Sequence, residues 1–121
     1  MQSTPKRILV VEDDADTLEL LQILLQEEGY EVLTSQKSGS LESQPDGELP
    51  DLILLDVLLS GQDGREIAQS LKSQEETQHI SILMCSVHPG GEETARQAGA
   101  DDFLAKPFDI DVLLARITQL L

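Results

Sequence analysis

Short unbroken runs of aliphatic residues alternate along the chain with stretches in which apolar positions recur every three to four residues. Residues 8–11 (ILVV) form the first run, which ends abruptly in Glu12, Asp13 and Asp14. Continuous apolar runs of this length mark strands buried on both faces. Over 15–28, Leu18, Leu21 and Leu25 fall at helical spacing and Gly29 supplies the stop. Residues 32–35 predict a modest second strand. Residues 52–55 (LILL) repeat the first pattern and again end in an acid, Asp56. A loop carrying Ser60, Gly61 and Gly64 should lead to a helix over 65–73. A fourth strand is expected over 80–85, ending at Ser86. A Pro-Gly-Gly turn and a short helix near 92–98 follow. Residues 103–105 predict a fifth strand before Lys106-Pro107, and 110–121 a last helix with apolar residues at 110, 113, 114, 117 and 121. Between 36 and 50 the pattern is weakest. Gly39, Pro45, Gly47 and Pro50 crowd any helix near Leu41, so at most a short one is expected there.

Five strand–helix units of this kind imply an α/β fold with a parallel sheet covered on both faces. Ligands of open α/β sheets bind beyond the carboxyl ends of the strands, where the strand order reverses. The residues at those ends are Glu12 and Asp13, Asp56, Ser86 and Lys106. The second strand ends without a comparable group.

Composition narrows the picture. The chain has 121 residues, 40% of them apolar but only 2% aromatic, so its core must be aliphatic. The net charge of −15 disfavours a phosphate backbone as partner, and no direct nucleic-acid binding is expected. No run approaches the roughly 20 apolar residues that span a bilayer. Acids follow the first apolar run too soon for a secretory signal, so a soluble cytoplasmic protein without membrane contact is expected. The single cysteine, Cys85, sits in an apolar run and reads as a buried, inert thiol in a reducing compartment.

If the strand-end groups converge, two carboxylates ~5 Å apart repel by about 3 kcal/mol at an effective dielectric near 20. Three of them, offset only by Lys106, call for a hard cation. All-oxygen ligands suit Mg²⁺, with Mn²⁺ as the alternative, and the lack of His or Cys argues against zinc. A carboxylate beside such a cation can act as a nucleophile toward phosphorus. The set Asp56, Lys106 and Ser86 is what self-phosphorylation of an aspartate requires. Acids after the first strand, in place of a glycine-rich phosphate loop, argue against a nucleotide-binding fold. Leu58, two residues after Asp56, argues against a phosphohydrolase, which needs an acid for the leaving group.

The segments ILVVEDD, LILLDVLLSGQDG and ADDFLAKPF, with a hydroxyl residue thirty positions after Asp56, resemble in order and spacing the receiver domain of bacterial response regulators. The resemblance covers essentially the whole length, and the chemotaxis-regulator type is the nearest pattern. It implies a flavodoxin-like, doubly wound single domain over 1–121, with five parallel strands in the order 2-1-3-4-5, helices on both faces and no output domain. It further implies that Asp56 accepts a phosphoryl group from a sensor histidine kinase or His phosphotransfer protein. Asp13, Asp56 and the backbone carbonyl of Leu58 would bind Mg²⁺ directly, and Glu12 through water. Ser86 and Lys106 would hold the phosphoryl oxygens, and Phe103 would be the aromatic that turns inward when Ser86 moves. Leu58, Val87 and His88 occupy positions that tune phosphorylation and its lifetime, and the Lys106-Pro107 bond matches one that is cis in the family. The implied protein is a phosphorylation switch read by an unknown downstream protein, not an enzyme with an external substrate. It would be a monomer or a weak phosphorylation-dependent dimer. The alternative is a phosphorylation-independent pseudo-receiver acting as an interaction module.

The chain departs from the family pattern at several places. Ser60 replaces a proline, and Val87 replaces a small residue where a β-branched side chain would narrow access to Asp56. The segment between Ser86 and Lys106 is two residues short, predicting a short or shifted helix. Of the ionic ladder used by DNA-binding members to dimerise, Asp102 and Arg116 remain, whereas Val112 and Thr118 replace an acid and a base.

Overall fold

The computed structural model describes residues 5–35, 49–59, 62–87 and 90–121. The expected short helix near Leu41 lies outside the described residues, as do Ser60, Gly61 and His88. Strands β1 (Arg7–Val11), β2 (Glu31–Ser35) and β3 (Leu52–Asp56) come first. The two-residue strands β4 (Leu58–Leu59) and β5 (Gln62–Asp63) follow, and then β6 (Ser81–Ser86) and β7 (Asp102–Ala105). Helices α1 (Ala15–Glu27), α2 (Gly64–Lys72), α3 (Gly91–Gln97) and α4 (Ile110–Leu120) complete the described elements.

The main sheet is five-stranded and parallel, ordered β2-β1-β3-β6-β7, which is the expected 2-1-3-4-5. Alternation within each aliphatic run sorts its side chains to the two faces. Ile8, Val10, Leu52, Leu54 and Leu83 pack with Leu21 and Leu25 of α1 and Leu113 and Ile117 of α4. Leu9, Val11, Ile53, Leu55, Ile82 and Met84 pack on the other face with Ala68 and Leu71 of α2, Ala95 of α3 and Ala98 just after it. Each large aliphatic side chain buried this way contributes about 1.5–3 kcal/mol relative to exposure. The central strands are therefore fixed from both sides, and their ends become rigid mounting points.

Helix α1 ends where expected, with Gly29 at φ 95°, a left-handed geometry that a side chain would strain. Asp14 stands at its N-cap, but its carboxylate accepts the Thr17 hydroxyl at 2.6 Å and makes no capping bond to the backbone. The other expected elements that fall on described residues lie within one residue of their expected bounds, and two of these small shifts bear on the strand ends. Ser86 closes strand β6 rather than following it, and Gly64 is the first residue of α2 rather than part of a loop. The hairpin of β4 and β5 was not expected. Helix α3 has seven residues, as the short segment predicted. Among the described residues no helix is long and apolar enough to cross a membrane.

Candidate functional site

The parallel register brings four strand ends to one edge of the sheet. The Glu12 N–H donates to the Ser35 carbonyl at 3.1 Å, tying the residue after β1 to the end of β2. Asp56 is the last residue of β3 and lies opposite Cys85 of β6. The next peptide is held there too, because Val57 N–H donates to the Cys85 carbonyl at 2.9 Å. Lys106 follows β7 and donates its N–H to the Ser86 carbonyl at 2.9 Å. Its peptide bond to Pro107 is cis, as the resemblance implied.

These anchors converge on one ammonium. Lys106 Nζ lies 2.8 Å from Asp56 Oδ2 and 3.2 Å from Glu12 Oε2. Glu12 and Ser86 are buried, and Asp13 is half-exposed beside them. Burial pushes the Glu12 carboxyl above the usual range. Lys106 opposes this and the Asp56 carboxylate adds to it. Burial would lower the Lys106 pKa, but the hydrogen bond to Asp56 and the charges of Asp56 and Glu12 outweigh it, so the lysine is held firmly charged. One cation serving two carboxylates, with Asp13 adjacent, leaves the edge short of positive charge. Among the described residues no three His, Cys, Asp or Glu side chains gather into a group that could hold a metal. Glu12 and Asp56 close on the ammonium instead. The donor chemistry of the edge is still that of a hard cation, all carboxylate and carbonyl oxygen.

The remaining sequence-predicted residues occupy distinct places. Phe103 is buried in β7, and its ring already lies inward: a Cβ built at Gly91 would stand 3.0 Å from both Phe103 Cζ and Ser86 Cβ. Leu58 belongs to β4, paired with Asp63 of β5. Val87 is 68% exposed, so most of its surface faces solvent. Cys85 is buried under the edge, and burial pushes its thiol up to about 12. Asp102 and Arg116, kept from the ladder pattern, pair within the chain at 2.8 Å.

Sequence reading missed two glycines that build the site. A Cβ at Gly64 would overlap the Asp56 carbonyl oxygen, so only glycine lets α2 begin directly against the phosphoacceptor candidate. Gly91 lets α3 begin against Ser86 and Phe103. In each case the readable signal was a glycine immediately ahead of a helical pattern.

The family model of the response regulator receiver domain matches residues 8–118. The chain is 37% identical over 116 residues to response regulator PleD of Caulobacter vibrioides, covering 94% of this chain and 26% of that protein. It is 38% identical over 120 residues to the phosphate regulon transcriptional regulatory protein PhoB of Pseudomonas aeruginosa, covering 96% and 52%. Among solved structures, the signal receiver domain of a signal transduction histidine kinase from Syntrophus aciditrophicus is similar, with TM-score 0.86 and 30% identity. That match covers 96% of this chain and 89% of the other. The chain spans about a quarter to a half of the length of these two curated relatives. By sequence and by fold it belongs to the response regulator receiver domains of two-component signalling.

Proposed function

We propose that the chain is a phosphorylation-driven switch in which Asp56 takes a phosphoryl group from the phosphohistidine of a sensor histidine kinase or His phosphotransfer protein. The observation that carries this reading is the 2.8 Å contact between Asp56 and Lys106 at the strand ends, with Glu12 beside it. A carboxylate oxygen of Asp56 attacks phosphorus and the donor's N–P bond breaks. The departing imidazole nitrogen keeps the bonding pair and takes up a proton, leaving an acyl phosphate on Asp56. Water attacking the same phosphorus returns the carboxylate and inorganic phosphate.

Asp13, Asp56 and the Leu58 carbonyl, with Glu12 acting through water, offer an oxygen site for Mg²⁺ or Mn²⁺, which when bound neutralises the phosphoryl oxygens. Lys106 moves its Nζ from the carboxylates to one phosphoryl oxygen, and the Ser86 hydroxyl donates to another. Phe103, seated against Gly91 beside Ser86, is the aromatic whose packing changes when Ser86 moves. Val87 and His88, following Ser86, and Leu58, following Asp56, tune access and lifetime. A full swing from 1:99 to 99:1 needs about 5.5 kcal/mol of preference for one state. The new charge-assisted contacts supply much of that. A downstream protein reads the result in the cytoplasm, where the chain works as a monomer or a weak phosphorylation-dependent dimer. It turns over no substrate besides its own phosphoryl group.

Incubation with Mg²⁺ and acetyl phosphate should add one base-labile phosphoryl group by intact mass, absent in Asp56→Asn and absent without Mg²⁺. No adduct with several small donors and with a phosphohistidine protein would overturn the reading in favour of a phosphorylation-independent pseudo-receiver.

A further inference from the structure

The chain leaves Asp56 through a tight return whose geometry is set from its far end. Strands β4 and β5 pair Leu58 with Asp63 and Leu59 with Gln62. Gly64 N–H donates to the Val57 carbonyl at 2.7 Å, so residues 57 and 64 share a ladder bond. Leu58 and Asp63 are then a non-hydrogen-bonded pair, whose backbone groups point away from the partner strand. The Leu58 carbonyl is thereby turned out of the hairpin. Gly64 presses on the Asp56 peptide from above, with no room for a Cβ. The return is held by a fork. Arg65 Nε lies 2.9 and 3.1 Å from the two Asp63 carboxylate oxygens, and Arg65 Nη2 lies 2.6 Å from Oδ2. The Arg65 N–H also donates to Asp63 Oδ1 at 2.9 Å, capping α2.

We propose that Asp63 and Arg65 are a positioning pair for the phosphorylation site. By locking the first turn of α2 onto β5, they fix the Leu58 carbonyl and the Asp56 peptide from outside. The pair acts through the backbone and not on the reacting atoms. This inference rests on the reading of Asp56 as a Mg²⁺-dependent phosphoacceptor.

The test titrates the full chain with Mg²⁺ by calorimetry for wild type, Arg65→Met, Asp63→Asn and the double variant. Asn at position 63 keeps an oxygen for the Arg65 N–H and removes only the charge pairing. Each single variant should raise the Mg²⁺ dissociation constant about tenfold, the low end of the effect of groups that orient metal ligands. The double variant should add little more, because the pair acts as a unit. Arg65→Lys should fall between, since it keeps the charge but not the fork. Adduct formation should drop at subsaturating Mg²⁺ and recover at saturation. Lower melting temperatures with unchanged Mg²⁺ affinity would make the pair merely structural and overturn the inference alone. A wild type that neither binds Mg²⁺ nor forms an adduct would overturn the functional reading and this inference with it.

Discussion

The two ends of the sheet solve opposite problems with the same residue types. At the amino end charged side chains bind the backbone as well as one another. Lys72 Nζ donates to the Gln78 and Ile80 carbonyls at 3.3 and 2.8 Å and to Asp101 Oδ2 at 2.9 Å. The same Asp101 oxygen accepts the Ile82 N–H at 2.7 Å, and Asp51 accepts the Arg7 N–H at 2.9 Å. At the carboxyl end Lys106 is divided between Glu12 and Asp56, with Asp13 adjacent. One end spends its charges on holding strands in register. The other gathers Glu12 and Asp56 on one ammonium, the arrangement on which the proposed cation and phosphoryl site rests.

The sharpest way to break this comparison is to remove one acid from each end. Asp56→Asn should abolish the phosphoryl adduct while leaving stability unchanged or higher, since it relieves the excess of carboxylates around Lys106 and keeps an acceptor for it. Urea unfolding and intact mass measure both. A clear loss of stability in Asp56→Asn would mean that the carboxyl end, too, is built for holding the fold.

The next largest effect concerns Cys85, one residue before the end of β6. Burial blocks access to its thiol and holds the pKa at about 12. At pH 8 an aromatic disulfide reagent should label the native chain at least ~10³-fold more slowly than the urea-unfolded chain, since reaction requires opening. Rapid native labelling would show that the floor beneath Asp56 opens locally, so that the excess charge above it is not confined by a rigid core.

Third comes Asp101→Ala. It removes the acceptor of the buried Ile82 N–H together with the Lys72 partner, so unfolding free energy should fall by about 1–3 kcal/mol. The adduct on Asp56 should form as in wild type. Stability within about 0.5 kcal/mol of wild type would remove the contrast between the ends, because such small values are what exposed pairs give.

How much of this was legible in the sequence follows the same division. The runs ILVV and LILL declared buried strands because burial on both faces leaves no polar position to interrupt them. The acids that end them then marked the carboxyl edge, where Glu12 and Asp56 meet Lys106. The amino end was invisible. Lys72 and Asp101 lie 29 residues apart, and each alone reads as a surface charge. Two-residue strands carry no period, so β4 and β5 escaped notice. Gly64 looked like a loop residue because its reason for being glycine is the Asp56 carbonyl, a contact that only the folded return creates. Asp14, one of the acids after the first run, stands at the N-cap of α1, where the Thr17 hydroxyl competes for its carboxylate.

The smallest effect tests whether the frame around Asp56 resembles the amino end. The Arg65 hydrogen bond holds the Asp63 carboxyl below its ordinary range, outweighing burial, with the backbone N–H of Arg65 assisting. A carboxyl whose folded pKa is lowered adds stability above its unfolded pKa, near 4, and loses it as pH falls through the folded value. Wild type should therefore exceed Asp63→Asn at pH 7 by less than about 1 kcal/mol, since both side chains are roughly one-third exposed. That gap should narrow as pH falls below about 5, and shrink in high salt. Urea unfolding at pH 7, 5 and 3 measures it. A gap that stays constant would assign the contribution of Asp63 to its capping oxygen alone. A gap that widens on acidification would mean that neighbouring carboxylates oppose the Asp63 charge more than Arg65 holds it. In that case the return after Asp56 would belong to the overcharged edge itself and could not serve as its support.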